Sequence, residues 1–172
     1  MVMILLLFYK EMKKIKLTQG KFAIINNEDF DRVSQFNWQY DGGENGYAKR
    51  SIRIGLRKEN RKWKEYLHRY ITGCPQEFCV DHINGDKLDC RRNNLRICNM
   101  SQNLGNSNIN KLNTSGFKGV TWLNKNKKWM AQINFKNKHF YLGSFTNRLE
   151  AGKTYNVAAT RFFGNYSKLN NI

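Results

Sequence analysis

Three runs of alternating apolar and polar residues follow one another in FKGVTWLNKNKKWMAQINFKNKHFYLGSF (Phe117–Phe145), separated by Asn/Lys turns. A period of two with turn residues at each break predicts an antiparallel three-stranded sheet. The next segment, TNRLEAGKTYNVAATRFFGN, changes to the period of an amphipathic helix. Asn147 and Glu150 have the spacing of a capping box, and Gly164 sits where a C-terminal cap belongs. Leu149, Ala151, Tyr155, Ala158, Ala159 and Phe162 mark the apolar face that would cover the sheet, with Trp129 and Phe145 as further core residues.

The chain has 172 residues and a formal net charge of +17. Such an excess points to a polyanionic partner, with a basic surface that serves solubility alone as the plainer alternative. No run approaches the ~18 apolar residues of a membrane span, and no long basic amphipathic helix suggests a membrane surface. The opening Val2–Tyr9 is apolar but lacks a preceding basic residue and a small-residue cleavage site, which argues against a signal peptide. Patterned sequence begins just after Met12, a candidate start. The expected location is the cytoplasm, and a phage-encoded protein in a bacterial host fits it. Cys74, Cys79, Cys90 and Cys98 include no C-x-x-C pair, and only three histidines are present, so reduced thiols are expected rather than structural zinc.

Texture divides the rest. Residues 1–12 form an N-terminal extension. Residues 13–73 alternate and are aromatic-rich, with strands in KIKLTQGKFAII, FNWQY and NGYAKRSIRIGL and a short helix over NEDFDRVSQF. Residues 74–110 read as a strand in FCVDHI, a polar loop, a second strand in NLRIC and a short helix in SQNLGNSN with Ser101 near its N-cap. Residues 111–116 have linker composition, and 117–172 hold the sheet and helix described above. The fold class expected is α+β.

The stretch VDHINGDKLDCRRNNLRICNMSQN (Val80–Asn103) gathers neutral amides around an Asp-His pair. One carboxylate and one amide oxygen would hold a hard divalent cation while cancelling only one of its charges. A neutral imidazole suits activation of water. Asp81 and His82 converge only if their strand ends or bends, which Asn84-Gly85 favours. A turn-capping Asp beside an ordinary histidine is the alternative.

This stretch closely resembles the HNH endonuclease motif of phage-borne and homing endonucleases, which have a ββα-metal fold. The resemblance implies His82 as general base, Asn94 as the residue that orients it and braces the hairpin, and Asp81 and Asn103 as ligands of one divalent metal, Mg or alternatively Mn. Asn103 would make this an H-N-N variant. LHRYI resembles the family's HR segment, which adds His68 and Arg69 for packing or phosphate contact. Cys90 stands where relatives usually carry asparagine.

Residues from Ser115 to Gly164 resemble the plant ethylene-response-factor (APETALA-two) DNA-binding domain, through KGV, KW-A-I, YLGSF and EA…TYN-AA…FG in order. That resemblance implies a sheet docked in the major groove of double-stranded DNA. Lys118, Thr121, Trp122, Lys125, Lys128, Gln132, Asn134, His139 and Tyr141 would lie on the DNA-facing strands. The plant domain uses several arginines to read bases, whereas this chain has Thr121, Leu123, Asn134 and His139, so its target differs. Basic residues from Lys118 onward face Glu150 as the one carboxylate, which suits phosphate contact or, alternatively, a solvated face.

Together these features lead to a metal-dependent DNA endonuclease with a C-terminal recognition sheet; the alternative is a non-catalytic DNA-binding regulator. One metal and one base would most simply cut one strand per encounter.

Overall fold

A computed structural model describes residues 12–43, 46–55 and 61–172. The apolar run Val2–Tyr9, and with it the N-terminal extension before Met12, lies outside the described residues, as do Asn45 and Leu56 at the ends of the expected strand NGYAKRSIRIGL. The chain forms two compact units, residues 1–98 and 99–172.

In the first unit, β1 (Met12–Lys16) and β2 (Phe22–Asn26) pair as an antiparallel hairpin. Its turn uses Gln19 and Gly20, both at positive φ. Alternation buries Ile15, Ala23 and Ile25 and leaves the lysines outside. A 3-10 turn, Asn27–Asp29, leads into the short helix α1 (Phe30–Ser34). Next come β3 (Gln39–Tyr40), β4 (Ala48–Ile54) and β5 (Arg61–Tyr66), which form a sheet in the order β3-β4-β5. The helix α2 (Leu67–Thr72) starts at the next residue and stops at Gly73, whose φ of 62° is the left-handed cap that glycine adopts without steric cost. The ribbon of β6 (Cys79–His82) and β7 (Leu95–Cys98) completes the unit.

One hydrophobic core serves all these elements, from Ile15 and Ile25 through Val33, Trp38 and Leu67 to Val80, Cys90 and Leu95. Sequence texture suggests a division after residue 73, but this core runs across it. It does so because β2 reaches the loop between β6 and β7: Ile24 N–H donates to Leu88 O (2.8 Å) and Cys90 N–H to Ile24 O (2.8 Å), a parallel bridge of Ile24 with Asp89. Cys90 is fully buried in that core, and burial pushes its thiol far above the usual range. All four cysteines are free thiols.

The second unit opens with α3 (Met100–Gly105). Its N-cap is Asn99 rather than the region of Ser101: the Asn99 side chain accepts from Gln102 N–H, and the Gln102 side chain accepts from Asn99 N–H, each at 2.9 Å. Gly105 lies so close to Phe163 that an added Cβ would sit 2.7 Å from its ring. Strands β8 (Val120–Leu123), β9 (Lys128–Phe135) and β10 (Lys138–Phe145) form an antiparallel sheet in the order β10-β9-β8. The helix α4 (Arg148–Phe163) packs on one face. It is capped by Asn147, which accepts from Leu149 N–H at 2.8 Å, and it ends at Gly164. Its buried side is Ala151, Gly152, Tyr155, Ala159 and Phe163. Leu149, expected on that side, is 41% exposed, because it lies on the first turn beyond the sheet-facing stripe. Trp129 and Phe145 pack against the core, as expected.

Candidate active site

Strand β6 ends where the sequence brings Asn84-Gly85. Gly85, at φ 80°, donates its N–H to His82 O (2.9 Å), turning the chain just after the histidine. The loop is then held by its own polar side chains. Asn84 Oδ1 accepts from Asp86 N–H, and Asp86 Oδ1 from Leu88 N–H, short local bonds typical of Asx turns.

Asn94 stands at the far end of this loop and is buried. Its side-chain oxygen accepts from Asn84 N–H (2.9 Å), and its side-chain NH2 donates to Asp89 O (2.8 Å). The amide therefore ties the returning limb of the hairpin to two points of its loop, Asn84 and Asp89. Asp89 anchors the same loop: it accepts from Arg91 Nε (2.8 Å), Arg91 Nη2 (2.6 Å) and Asn84 Nδ2 (2.8 Å). Burial works to raise its pKa, but the Arg91 guanidinium wins and holds the carboxyl below the usual range. From outside the loop, Arg92 reaches the buried Asp29, which also binds Arg32, and Arg92 N–H donates to Asn26 Oδ1. Burial opposes ionisation of Asp29 as well, and Arg92 and Arg32 overcome it.

Asp81 and His82 are both buried. Asp81 pairs across the ribbon with Arg96, whose Nε (2.9 Å) and Nη2 (2.7 Å) both donate to Oδ2. His82 meets different neighbours, as adjacent strand residues must. Its ring lies edge-on to His68 of α2, centroids 5.1 Å apart, and 5.9 Å from the Tyr47 ring. Tyr66 stacks on His68 at 5.6 Å, and Lys87 Nζ sits 5.5 Å over the Tyr47 ring. Burial, then the Lys87 charge, push the His82 imidazole down to about 4 against the opposing pull of Asp81, Asp86 and Asp89. Burial, then His82, Arg69 and Lys87, push His68 down to about 3. Both rings are therefore neutral at physiological pH, the state in which an imidazole can accept a proton.

The first unit thus brings Asp81, His82 and Asn94 into one hairpin. Asn103 is half-buried on α3 of the second unit, where its N–H donates to Asn99 O. Of the second-tier candidates, His68 touches His82, whereas Arg69 donates to the carbonyls of Cys74, Pro75 and Phe78 and so fastens the loop before β6. Sequence reasoning missed Tyr47, Tyr66, Lys87 and Arg96. Arg96 carried a signal: it is the residue opposite Asp81 once the two strands are aligned through their turn. Among the described residues, no three His, Cys, Asp or Glu side chains form a metal-binding cluster. A carboxylate with an amide oxygen is a smaller donor set, and its hard oxygens suit Mg or Mn.

In the second unit the register sorts the expected DNA-facing residues. Thr121, Lys128, Gln132, Asn134, His139 and Tyr141 share the sheet face turned away from α4. There His139 Nδ1 lies 2.9 Å from Asn134 Oδ1, and Tyr141 OH donates to Ser144 Oγ. Lys125 is exposed in the turn between β8 and β9. Two residues are placed otherwise. Trp122 aligns with Trp129 on the helix side, rings 4.8 Å apart. Lys118 precedes β8, and its ammonium donates to the carbonyls of Leu104, Gly105 and Ser107, closing the C-terminal end of α3.

Residues 66–104 match the family model for HNH endonucleases. An uncharacterized HNH endonuclease of Acanthamoeba polyphaga mimivirus is 28% identical over 160 residues, 90% of this chain and 77% of its own. Protein 3.8 of Escherichia phage T7 is 33% identical over 64 residues, 37% of this chain and 53% of its own. No solved structure matches. Residues 66–104, from the end of β5 through α3, therefore carry an HNH endonuclease domain, in a chain similar over most of its length to a viral protein of that kind.

Proposed function

We propose that this chain is a metal-dependent HNH endonuclease that hydrolyses a phosphodiester of double-stranded DNA. The observation that carries the reading is the buried Asp81–His82 pair at the end of β6, in a hairpin braced by Asn94, within the segment that matches the family. His82, neutral and lodged against His68, takes a proton from the attacking water. Asn94 holds the backbone on which His82 sits. Asp81 would supply one oxygen ligand to a divalent metal, Mg or Mn, and the motif resemblance assigns Asn103 as another. When bound, that ion would offset negative charge that builds up on the phosphate. Arg96 holds the Asp81 carboxylate in place until then.

The second unit supplies recognition, with Thr121, Lys128, Gln132, Asn134, His139 and Tyr141 toward the DNA, Lys125 beside them, and a docking mode like that of the ethylene-response-factor domain it resembles. Trp122 and Lys118 act in this reading through the sheet and α3 that they brace. A chain related to viral proteins that works on DNA would act inside the host cell. Among the described residues, no helix is long and apolar enough to cross a membrane.

Supercoiled plasmid incubated with the protein and Mg or Mn tests the proposal, beside His82→Ala and a chelator control. Relaxed or linear product from the unaltered protein alone is the expected result, and the ratio of the two separates nicking from double-strand cleavage. Plasmid that is bound but intact with either metal, on plasmids carrying candidate target sites, would favour a DNA-binding regulator.

A further inference from the structure

The β3-β4-β5 sheet takes no part in the chemistry above except through Tyr66, at the end of β5. Its strand register nevertheless sorts the side chains of β4 and β5 into two unlike faces. Arg50 opposes Glu65, and Ile52 opposes Trp63. Ile54 opposes Arg61 on the same face, and Arg50 there is neutralised, since Arg50 Nε donates to Glu65 Oε2 at 2.5 Å and its guanidinium lies 3.6 Å over Phe36. On the other face Lys49 opposes Tyr66, Ser51 opposes Lys64, and Arg53 opposes Lys62. Lys49 is paired with Asp41. Arg53, Lys62 and Lys64 are exposed, and none has an ion-pair partner among the described residues.

Lysines on an edge strand often serve only to prevent edge-to-edge pairing, and Lys62 and Lys64 lie on edge strand β5. β3 pairs only with Ala48 and Lys49, so among the described residues Arg53 too lies where β4 has β5 alone beside it, and what sets these cations apart is where their row leads. The cationic face runs without a break into the candidate active site: Tyr66 follows Lys64 on the same face of β5, stacks on His68, and His68 meets the ring of His82. Same-face residues step along a strand by about 6.6 Å, so Lys62, Lys64 and Tyr66 form a regular row that ends at the imidazoles.

We infer that this face is a second DNA contact, a row of cations that grips the phosphates of the strand leading to the cleavage site. The inference rests on the nuclease reading for its partner and extends it to residues outside the motif. Contacts of this kind carry no sequence information and act by counterion release.

The test is binding of a fluorescent DNA duplex by the full chain in chelator, with salt varied between about 50 and 200 mM. Lys62→Ala/Lys64→Ala is compared with Lys14→Ala/Lys16→Ala, which removes the same charge from exposed positions on β1. Loss of two phosphate contacts should make the slope of log affinity against log salt shallower by about 1.8, equally on unrelated sequences. The β1 pair should keep the original slope, and Lys62→Arg/Lys64→Arg should restore it. Equal effects from both alanine pairs, or none from either, would overturn the inference and leave the nuclease reading standing. No binding by the unaltered protein would overturn both. A slope change in a chain that never cuts plasmid would support the contact and remove the nuclease.

Discussion

The described residues form two three-stranded antiparallel sheets of opposite character. The open face of β8-β9-β10 presents Thr121, Gln132, Asn134, His139 and Tyr141, side chains that both donate and accept hydrogen bonds, with Lys128 at one end. The cationic face of β4-β5 presents Arg53, Lys62 and Lys64, which only donate. Base edges in the major groove differ from one another in donors and acceptors, whereas phosphates are alike along the duplex. The same architecture can therefore serve choice of sequence in one place and grip in another, and side-chain chemistry at alternate positions decides which. The β6-β7 hairpin has neither role: its polar side chains are tied to one another and its backbone is bonded to β2.

If chemistry, grip and choice are separable in this way, they should fail separately. The largest effect belongs to His82→Ala. Nicking should fall roughly 10²–10⁴-fold while duplex affinity holds, and a parallel fall in affinity would make the ring part of the grip. Arg96→Ala should cost about 3–5 kcal/mol in urea unfolding, because it takes both guanidinium bonds from a buried carboxylate. A cost below about 1 kcal/mol would mean that Asp81 does not depend on Arg96.

Acid should act on the first unit through its imidazoles. His68 and His82 take up protons only near 3 and 4 when folded, but near the ordinary 6.5 when unfolded. The unfolded chain therefore binds more protons in that window. The stability these rings contribute is complete above about 6.5 and is lost as pH falls through about 4 to 3. Urea midpoints that stay flat across that range would contradict their burial as neutral rings, and His68→Leu should weaken the dependence.

Smaller effects sharpen the contrast between the sheets. Gln132→Ala and Asn134→Ala should each change discrimination among duplex sequences by about 1–3 kcal/mol if they read bases. Lys128→Ala should instead weaken all sequences alike and reduce the salt slope by about 0.9. Sequence-dependent loss at Lys128, or uniform loss at Gln132 and Asn134, would erase the distinction on that face.

Much of this arrangement is legible before folding because it is local. The strands around Asp81-His82 and Leu95 follow from short apolar runs that flank an Asn-Gly turn. The caps at Asn147 and Gly164 follow from residue types at fixed offsets. What depends on pairing at a distance is not legible. The bond from Arg96 to Asp81 needs the register of the ribbon, and Arg92 reaches Asp29 across 63 positions of sequence. Trp122, carried onto the DNA-facing strands by the resemblance, does lie on β8, but only its alignment with Trp129 shows that its ring is on the helix side. The cluster of Tyr47, Tyr66, His68 and His82 joins a loop, two strands and a helix, so no window of sequence contains it.

The bridge between Ile24 and Asp89 bears on how this nuclease segment could be moved. A peptide spanning only residues 66–104 would contain every chemical group of the motif. It would lack the strand that receives Cys90 N–H, the Asp29 that receives Arg92, and the apolar floor of Ile25 and Val33. Transplanted into another protein, the motif would need a comparable splint from its host, and recombination that exchanges such segments would succeed where residues 12–65 travel with them.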